Sequence, residues 1–184
     1  MDTFQNLIET PLQCREVFHG DRLRLFADTV TLPNGKTALR EYVRHIGAVG
    51  IVPVTEDGSV LVERQFRYPV NRIITEIPAG KLNDPGEDRL SAARRELEEE
   101  TGFTAGEWIP LGDYCPAAAY CDEVIALYLA RNLQPGTRCL DEDEFLNVQA
   151  LPLARLVEEI MDGTITDGKT QTGILKAARY LGIL

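Results

Sequence analysis

Residues 80–103 read GKLNDPGEDRLSAARRELEEETGF, and this stretch indicates a short amphipathic helix rich in carboxylates. We predict that the helix begins at Asp88 or Arg89. It should end at Gly102, because glycine readily adopts the left-handed conformation that closes many helices. At about 100° per residue, the stripe of this helix that faces a core consists of Leu90, Ala93 and Leu97.

Four glutamates lie in the second half of this helix. Glu96 and Glu100 are one turn apart beside the apolar stripe, with Glu99 next to them, whereas Glu98 is expected on the opposite side, toward solvent. Like charges at this spacing repel each other, and a divalent cation would remove that cost. Mg²⁺ takes oxygen ligands from a few carboxylates and from substrate phosphates. Taken alone, such a run is more typical of a solvated acidic helix face than of a metal site.

The residues before the helix favour the metal site. Residues 76–81, EIPAGK, indicate a strand end that turns at proline and glycine, and Glu87 stands eight positions before Arg95, which can therefore brace the site. The whole region resembles the Nudix box, G-x5-E-x7-R-E-U-x-E-E-x-G-U with U apolar. The match has no gap from Glu87 onward. Six residues instead of five follow Gly80, and turn-rich loops absorb such insertions.

Composition excludes several classes of protein. The chain has 184 residues, enough for one domain with a small extra sheet, and no apolar run approaches the length of a membrane span. The first residues lack the pattern of a signal peptide, and the four cysteines form no C-x-x-C pair, so we expect a cytoplasmic protein with reduced thiols. A net charge of −10 argues against nucleic-acid binding. Bound metal would let this acidic chain accept phosphate.

Hydrophobic patterning predicts a layered fold. Strands are expected at 21–32, 37–46, 47–54, 60–67, up to 77, 108–114, 124–130 and 146–151, with the first two joined by the turn PNGK at 33–36. Two helices close the chain. Their apolar stripes are Leu153, Leu156, Val157, Ile160 and Met161, and Ile174, Leu175, Ala178 and Leu181. We predict an α/β/α sandwich with mixed sheets, comprising a β extension at 1–46 and a Nudix domain at 47–184.

Residues 163–170, GTITDGKT, match the phosphate-binding P-loop pattern letter for letter. A P-loop follows a buried strand and is followed by a βα core. Here an amphipathic helix precedes the pattern, and only 14 residues follow Thr170. We therefore interpret it as the connection between two helices.

The resemblance extends beyond the box to the ADP-ribose pyrophosphatase branch of the Nudix family. It is carried by PNGK at 33–36, RE at 40–41, GAV at 47–49, RQFR at 64–67, EIPAGK at 76–81 and DEDEF at 141–145. Members split ADP-ribose into AMP and ribose 5-phosphate with Mg²⁺, for which Mn²⁺ is an alternative, and are usually homodimers. Many carry Ser-Pro-Gly after the box, where this chain has Cys115-Pro116-Ala117.

The resemblance also implies roles for individual residues. Metal ligands would be Glu96 and Glu100, Glu99 directly or through water, and the Ala79 carbonyl. A later glutamate, Glu142 or Glu144, would serve as metal ligand or general base, although a solvated acidic loop is equally compatible with its sequence. Arg95 would support the catalytic carboxylates. The remaining residues matched to ligand-binding positions are Arg67 for a phosphate, Arg40 and Glu41 from a partner subunit, and Glu123.

Two other functions remain compatible with the sequence. In the first, the enzyme acts on another nucleoside diphosphate sugar or a dinucleotide, because Ala117 stands where many members of the branch have glycine. A non-catalytic Nudix-like nucleotide sensor is the second alternative, but the box carboxylates that sensors usually lose are all present here.

Overall fold

The computed structural model describes residues 4–140 and 142–184, which divide into two compact units. The first comprises the chain up to His45 together with Ala117–Glu123, and the second comprises Ile46–Pro116 and Val124–Leu184. No helix in the described part of the chain is long and apolar enough to cross a bilayer.

The N-terminal unit is an antiparallel sheet built around one long strand. Its strands are β1 (Thr10–Gln13), β2 (Glu16–His19), β3 (Arg24–Thr31) and β4 (Thr37–Arg44). Strand β3 pairs with all three others, and β4 matches it along its full length. The predicted hairpin is confirmed, with Gly35 at φ +81° in its turn. The predicted strands are each shorter than expected, and β1 and β2 were missing from the prediction.

The second unit begins with four strands, of which the first and last belong to one sheet and the middle two to another. These are β5 (Ala48–Pro53), β6 (Ser59–Arg67), β7 (Arg72–Glu76) and β8 (Ala79–Lys81). They are followed by the helix α1 (Arg89–Thr101), then β9 (Phe103–Tyr114), β10 (Ile125–Pro135) and β11 (Leu146–Pro152). Two helices, α2 (Leu153–Met161) and α3 (Gly168–Tyr180), end the chain.

A mixed sheet in the order β8-β5-β10-β9 forms the centre of this unit. Strand β5 runs parallel to β10, and the other pairs are antiparallel. Alternate residues of β5 face opposite cores: Val49 and Ile51 pack with α1, whereas Val52 packs with α2, α3 and the second sheet, β11-β6-β7. Burial on both faces explains the continuous apolar run of β5. The α/β/α layering is as predicted.

Local sequence signals set the ends of the helices. Asp88 caps α1 by accepting a hydrogen bond from the Ser91 amide at 2.8 Å, and Gly102 ends it at φ +75°. Helices α2 and α3 are joined directly by residues 162–167, as the interpretation of the P-loop match required. The predicted apolar stripe of α2 was wrong at one position. Met161, the last residue of this helix, is 73% exposed.

Candidate active site

Strand β8 crosses very close to the carboxylates of α1. The Ala79 amide donates to Glu100 Oε2 at 2.9 Å. A Cβ atom added to Gly80 would lie 2.0 Å from the carboxyl carbon of Glu96. Only glycine therefore lets the backbone pass at this position while Glu96 keeps its place. The sharp turn predicted at residues 78–80 brings the main chain onto the acidic helix.

Arg95 braces these carboxylates as the sequence predicted. Its Nη1 donates to Glu96 Oε1 at 2.6 Å and to Glu99 Oε2 at 3.1 Å, and its Nε lies 3.5 Å from Glu87 Oε1. Its Nη2 donates to the Lys81 carbonyl at 3.2 Å. Burial opposes the charge of Arg95, but the neighbouring carboxylates outweigh it and raise its pKa. The arginine thus ties the start of the helix, its acidic face and β8 together.

Three carboxylates are buried together in this region. Glu63, Glu96 and Glu100 are 4%, 9% and 5% exposed. Burial is the main cause of the raised pKa of each of them, and the charges of neighbouring glutamates, including Glu144, add to it. Glu63 Oε1 is buried without a hydrogen-bond partner. Such a site favours protonated carboxyls until a cation supplies the opposite charge.

The donor set suits a hard divalent cation. Buried glutamate oxygens, one of them without a partner, are ligands of the type that Mg²⁺ prefers. Among the described residues, no three acidic, histidine or cysteine side chains already form a metal-binding group. Glu96 is engaged by Arg95, and Glu100 by the Ala79 amide. These bonds use Glu96 Oε1 and Glu100 Oε2, so ligation through the second oxygen of each carboxylate does not require either bond to break.

Glu98 differs from its predicted position. It was expected in solvent, but it is partly buried, and its Oε1 accepts a hydrogen bond from the Thr137 amide at 3.4 Å. The reason is that the chain after β10 returns along this side of α1. A Cβ atom on Gly136 would lie 2.9 Å from the Glu98 carboxylate.

The segment that leads from β10 to β11 is fastened to the end of α1. Gly136 and Cys139 amides donate to the carbonyls of Gly102 and Glu99, at 2.7 and 3.0 Å. Arg138 Nε donates to the Glu100 carbonyl at 2.7 Å, and its Nη2 donates to the Leu146 carbonyl at 3.0 Å. These contacts hold both ends of the acidic loop, residues 136–145, against the helix.

The loop itself carries the predicted later glutamates. Glu142 lies in an exposed turn, whereas Glu144 is partly buried. The charge of Glu144 contributes to the raised pKa of Glu63, Glu96 and Glu100, which places it near the buried carboxylates. Asp141, the first residue of the matching stretch, lies outside the described residues. Burial and charge therefore distinguish Glu144 from Glu142, whose side chain is exposed.

The predicted ligand-binding residues fall in both units. Arg67, in the second unit, donates through Nε to the buried Glu76 at 2.7 Å. Arg40, in the first, pairs with Glu9, its Nε lying 2.8 Å from Oε2. Glu41 is exposed on β4, and Glu123 Oε1 lies 3.5 Å from His45 Nδ1.

Sequence reasoning missed several charged residues of the second unit. Glu63 and Glu76 face each other in the register of β6 and β7, and Lys169 donates to Glu76. A charged residue inside an apolar strand, as Glu63 is after VLV at 60–62, was the available signal, since buried charges are rare without a partner. Lys169 lay in the P-loop match and was set aside with it.

Known proteins resemble this chain over most of its length. The model of the NUDIX domain matches residues 44–169. An ADP-ribose pyrophosphatase of Bacillus subtilis (strain 168) is 38% identical over 92% of each chain, and a methanol dehydrogenase activator of Bacillus methanolicus is 39% identical over 88% of each. A solved structure of an ADP compounds hydrolase has the same fold, with a TM-score of 0.84 at 24% identity over 95% of this chain and 94% of that one. The chain belongs to the Nudix family of hydrolases, enzymes that generally use divalent metal ions.

Proposed function

We propose that this protein hydrolyses the pyrophosphate bond of ADP-ribose to AMP and ribose 5-phosphate in the presence of Mg²⁺. The observation that carries the proposal is a group of three buried carboxylates, Glu63, Glu96 and Glu100. The backbone at Gly80 passes close to one of them, Glu96. An acidic site of this kind serves phosphate chemistry only with a bound cation. The 38% identity to an ADP-ribose pyrophosphatase supports the choice of substrate.

Each residue then has a chemical role. Glu96 and Glu100, with Glu99 and the Ala79 carbonyl, would hold Mg²⁺, for which Mn²⁺ could substitute; the bound ion supplies positive charge for the phosphoryl oxygens. Arg95 keeps Glu96 and Glu99 in place.

The remaining proposed residues act on water and on substrate. Glu144, near the buried carboxylates, would orient the attacking water and accept its proton, with Glu142 as the second candidate. Arg67 would bind a phosphate of the substrate through its guanidinium.

We also propose a homodimer in the cytoplasm. The N-terminal unit exposes apolar side chains on its outer strands, including Leu12, Phe18 and Leu39, at 60%, 55% and 52%. Exposed sheet edges of this kind pair readily with another chain. In the dimer, Arg40 or Glu41 of one subunit would help to bind the nucleotide of the other, and Glu123 would contribute to substrate binding. Free thiols at Cys14, Cys115 and Cys139, all exposed, suit a reducing compartment.

One assay tests the substrate. The protein is incubated with ADP-ribose, other ADP-sugars, FAD and a dNTP, with Mg²⁺ or with EDTA, and products are identified by mass. We expect AMP and ribose 5-phosphate from ADP-ribose, faster than products from any dNTP and absent in EDTA. Preference for another nucleoside diphosphate sugar or a dinucleotide would transfer the assignment to that substrate. Binding without turnover of any compound would support a nucleotide sensor instead.

A further inference from the structure

A network of charged side chains joins the second sheet to the first turn of α3. Lys169 Nζ donates to Glu76 Oε1, and to Asp167 Oδ2 at 3.1 Å. Arg67 Nε donates to the other oxygen of Glu76 at 2.7 Å. Each oxygen of the Glu76 carboxylate therefore has its own cationic partner.

The network runs from the protein interior to its surface. The side chains of Glu76 and Lys169 are 5% and 11% exposed, whereas that of Arg67 is 44% exposed. A buried ion pair is strongly disrupted by the loss of one partner, because the other charge is left uncompensated. Glu63 stands directly opposite Glu76 in the register of β6 and β7, so an unpaired Glu76 would also face a second buried carboxylate.

Arg67 presents a free edge. Its Nε is occupied by Glu76, while neither Nη atom donates a hydrogen bond to any residue within 4–140 or 142–184. The guanidinium group is planar, and its nitrogens bind phosphate oxygens in parallel. Anchorage through Nε fixes the plane and leaves the two terminal nitrogens available to a ligand.

The start of α3 is itself fixed against the sheet. Asp167 Oδ2 caps the helix by accepting from the Thr170 amide at 2.9 Å, and it also accepts from Thr170 Oγ1 at 2.6 Å. Thr170 is fully buried, and its Oγ1 accepts a hydrogen bond from the Ile77 amide at 2.9 Å. Because Ile77 adjoins Glu76, the last residues of the P-loop-like stretch form a rigid support for this strand end.

We propose that Lys169 and Asp167 are positioning residues that hold Glu76, and through it Arg67, in the orientation in which Arg67 binds a substrate phosphate. Neither residue contacts substrate. The identity of the substrate rests on the proposed function, but the orientation of Arg67 does not depend on it. In the absence of Lys169, one oxygen of Glu76 has no cationic partner, so the carboxylate is free to turn and Arg67 loses its fixed anchor.

Kinetics of a double-mutant cycle test whether Lys169 acts through Arg67. We expect Lys169→Met to raise KM for ADP-ribose about tenfold with a smaller change in kcat, as for lost binding away from the scissile bond. Arg67→Ala should raise KM at least as much, and the double variant should equal Arg67→Ala alone, because coupled residues are not additive. Lys169→Arg should restore most of the affinity.

The same helix offers a matched control. Lys176 lies in α3, and its Nζ donates to the Leu111 carbonyl at 2.7 Å, away from the network. Lys176→Met should leave KM unchanged. Additive effects of Lys169→Met and Arg67→Ala on KM would overturn the proposal, since they would mean that the lysine does not act through the arginine.

A second measurement requires no substrate. The NMR signal of the Arg67 Nε–H group, assigned by its loss in Arg67→Lys, should exchange with water slowly in the wild type and faster in Lys169→Met, but not in Lys176→Met. Asp167→Asn, which retains a capping side chain, should give an intermediate rate and serves if Lys169→Met does not fold. Unchanged exchange in the folded variants would overturn the positioning role. If ADP-ribose is not cleaved but exchange responds as expected, only the proposed function fails.

Discussion

At the level of single residues, the buried glutamates of the second unit are costly to ionise. Burial first, and the charges of neighbouring carboxylates second, raise the pKa of Glu63 and Glu100. A raised carboxyl pKa in the folded state means that the ionised form is less stable there than in the unfolded chain. A group of residues that weakens the fold in this way is typical of a functional site.

Substitution of single carboxylates should affect catalysis on one side of α1 and not on the other. We expect Glu96→Gln and Glu100→Gln each to lower kcat at least ~100-fold, because each removes a charge that would hold the metal. Glu98→Gln should be near neutral, since an amide oxygen still accepts the hydrogen bond from Thr137. Steady-state assays with circular dichroism to verify folding make the measurement. Equal losses at Glu98 and Glu100 would contradict the assignment.

At the level of secondary-structure elements, the passage of β8 over α1 makes a separate prediction. A Cβ atom at position 80 meets the carboxylate end of Glu96, which is a flexible side chain, and not the backbone of the helix. Gly80→Ala should therefore displace Glu96 and lower kcat by roughly the same ~100-fold as its removal, with little change in Tm.

Gly106→Ala, in β9, is the control for this change. A Cβ atom there comes no closer than 3.4 Å to Asn132, an ordinary contact, and both kcat and Tm should stay at wild-type values. If Gly80→Ala unfolded the protein or left kcat intact, the position of Glu96 would not depend on the close approach of β8 to α1.

The hydrogen bonds of Asp28 make the N-terminal sheet sensitive to pH. Asp28, in β3, accepts from the Arg15 amide at 3.0 Å and from Tyr42 Oη at 3.1 Å, and the Arg15 bond is the main cause of its lowered pKa. A lowered carboxyl pKa stabilises the fold above the unfolded value of about 3.9, and this contribution is lost as pH falls through the folded value.

We accordingly expect Asp28→Asn to lower Tm at pH 7, with a difference from the wild type that shrinks below about pH 4. Asp21→Asn, at an exposed aspartate of the same unit, serves as the control. Thermal denaturation between pH 3 and 7 makes the comparison. A difference that is independent of pH would show that the charge of Asp28 is not involved.

The ends of α1 could be predicted from the sequence because capping depends on neighbouring residues. Asp88 and Gly102 act within one turn of the helix, and both were identified. Strands β1 and β2 were missed because they are short and their sequences, TPLQ and EVFH, do not alternate polar and apolar residues; all eight residues are exposed. The contact between Lys169 and Glu76 joins residues 93 positions apart, and only the folded sheet brings them together.

At the level of the whole molecule, an acidic chain with a net charge of −10 should depend on cations. A ligand that binds only the folded state stabilises it by roughly 2.7 kcal/mol when the ligand concentration is a hundred times its Kd. Addition of Mg²⁺ or Mn²⁺ should therefore raise Tm, and the rise should be smaller in Glu100→Gln. Calorimetry with Mg²⁺, with Na⁺ at equal ionic strength and with EDTA makes the test. The absence of a shift together with full activity in EDTA would rule out the metal site.

Assembly can be tested together with substrate binding. If the protein is a homodimer with a shared pocket, light scattering should give twice the mass of 20.5 kDa. Arg40→Ala should raise KM more than it lowers kcat, because it removes binding remote from the scissile bond. Arg24→Ala, at an arginine paired with Glu16 in the same sheet, is the control. A fully active monomer would contradict the shared pocket.

The fastening of the acidic loop by Arg138 has a consequence for how this protein can change over evolution. The arginine and the Gly136 and Cys139 amides tie the base of the loop to α1, whereas Phe145, near its end, is 81% exposed. Substitutions and insertions between these anchors can accumulate without strain on the helix, since surface loops tolerate them well. New specificities can therefore arise at the exposed positions of this loop while Glu144 and the glutamates of α1 are retained.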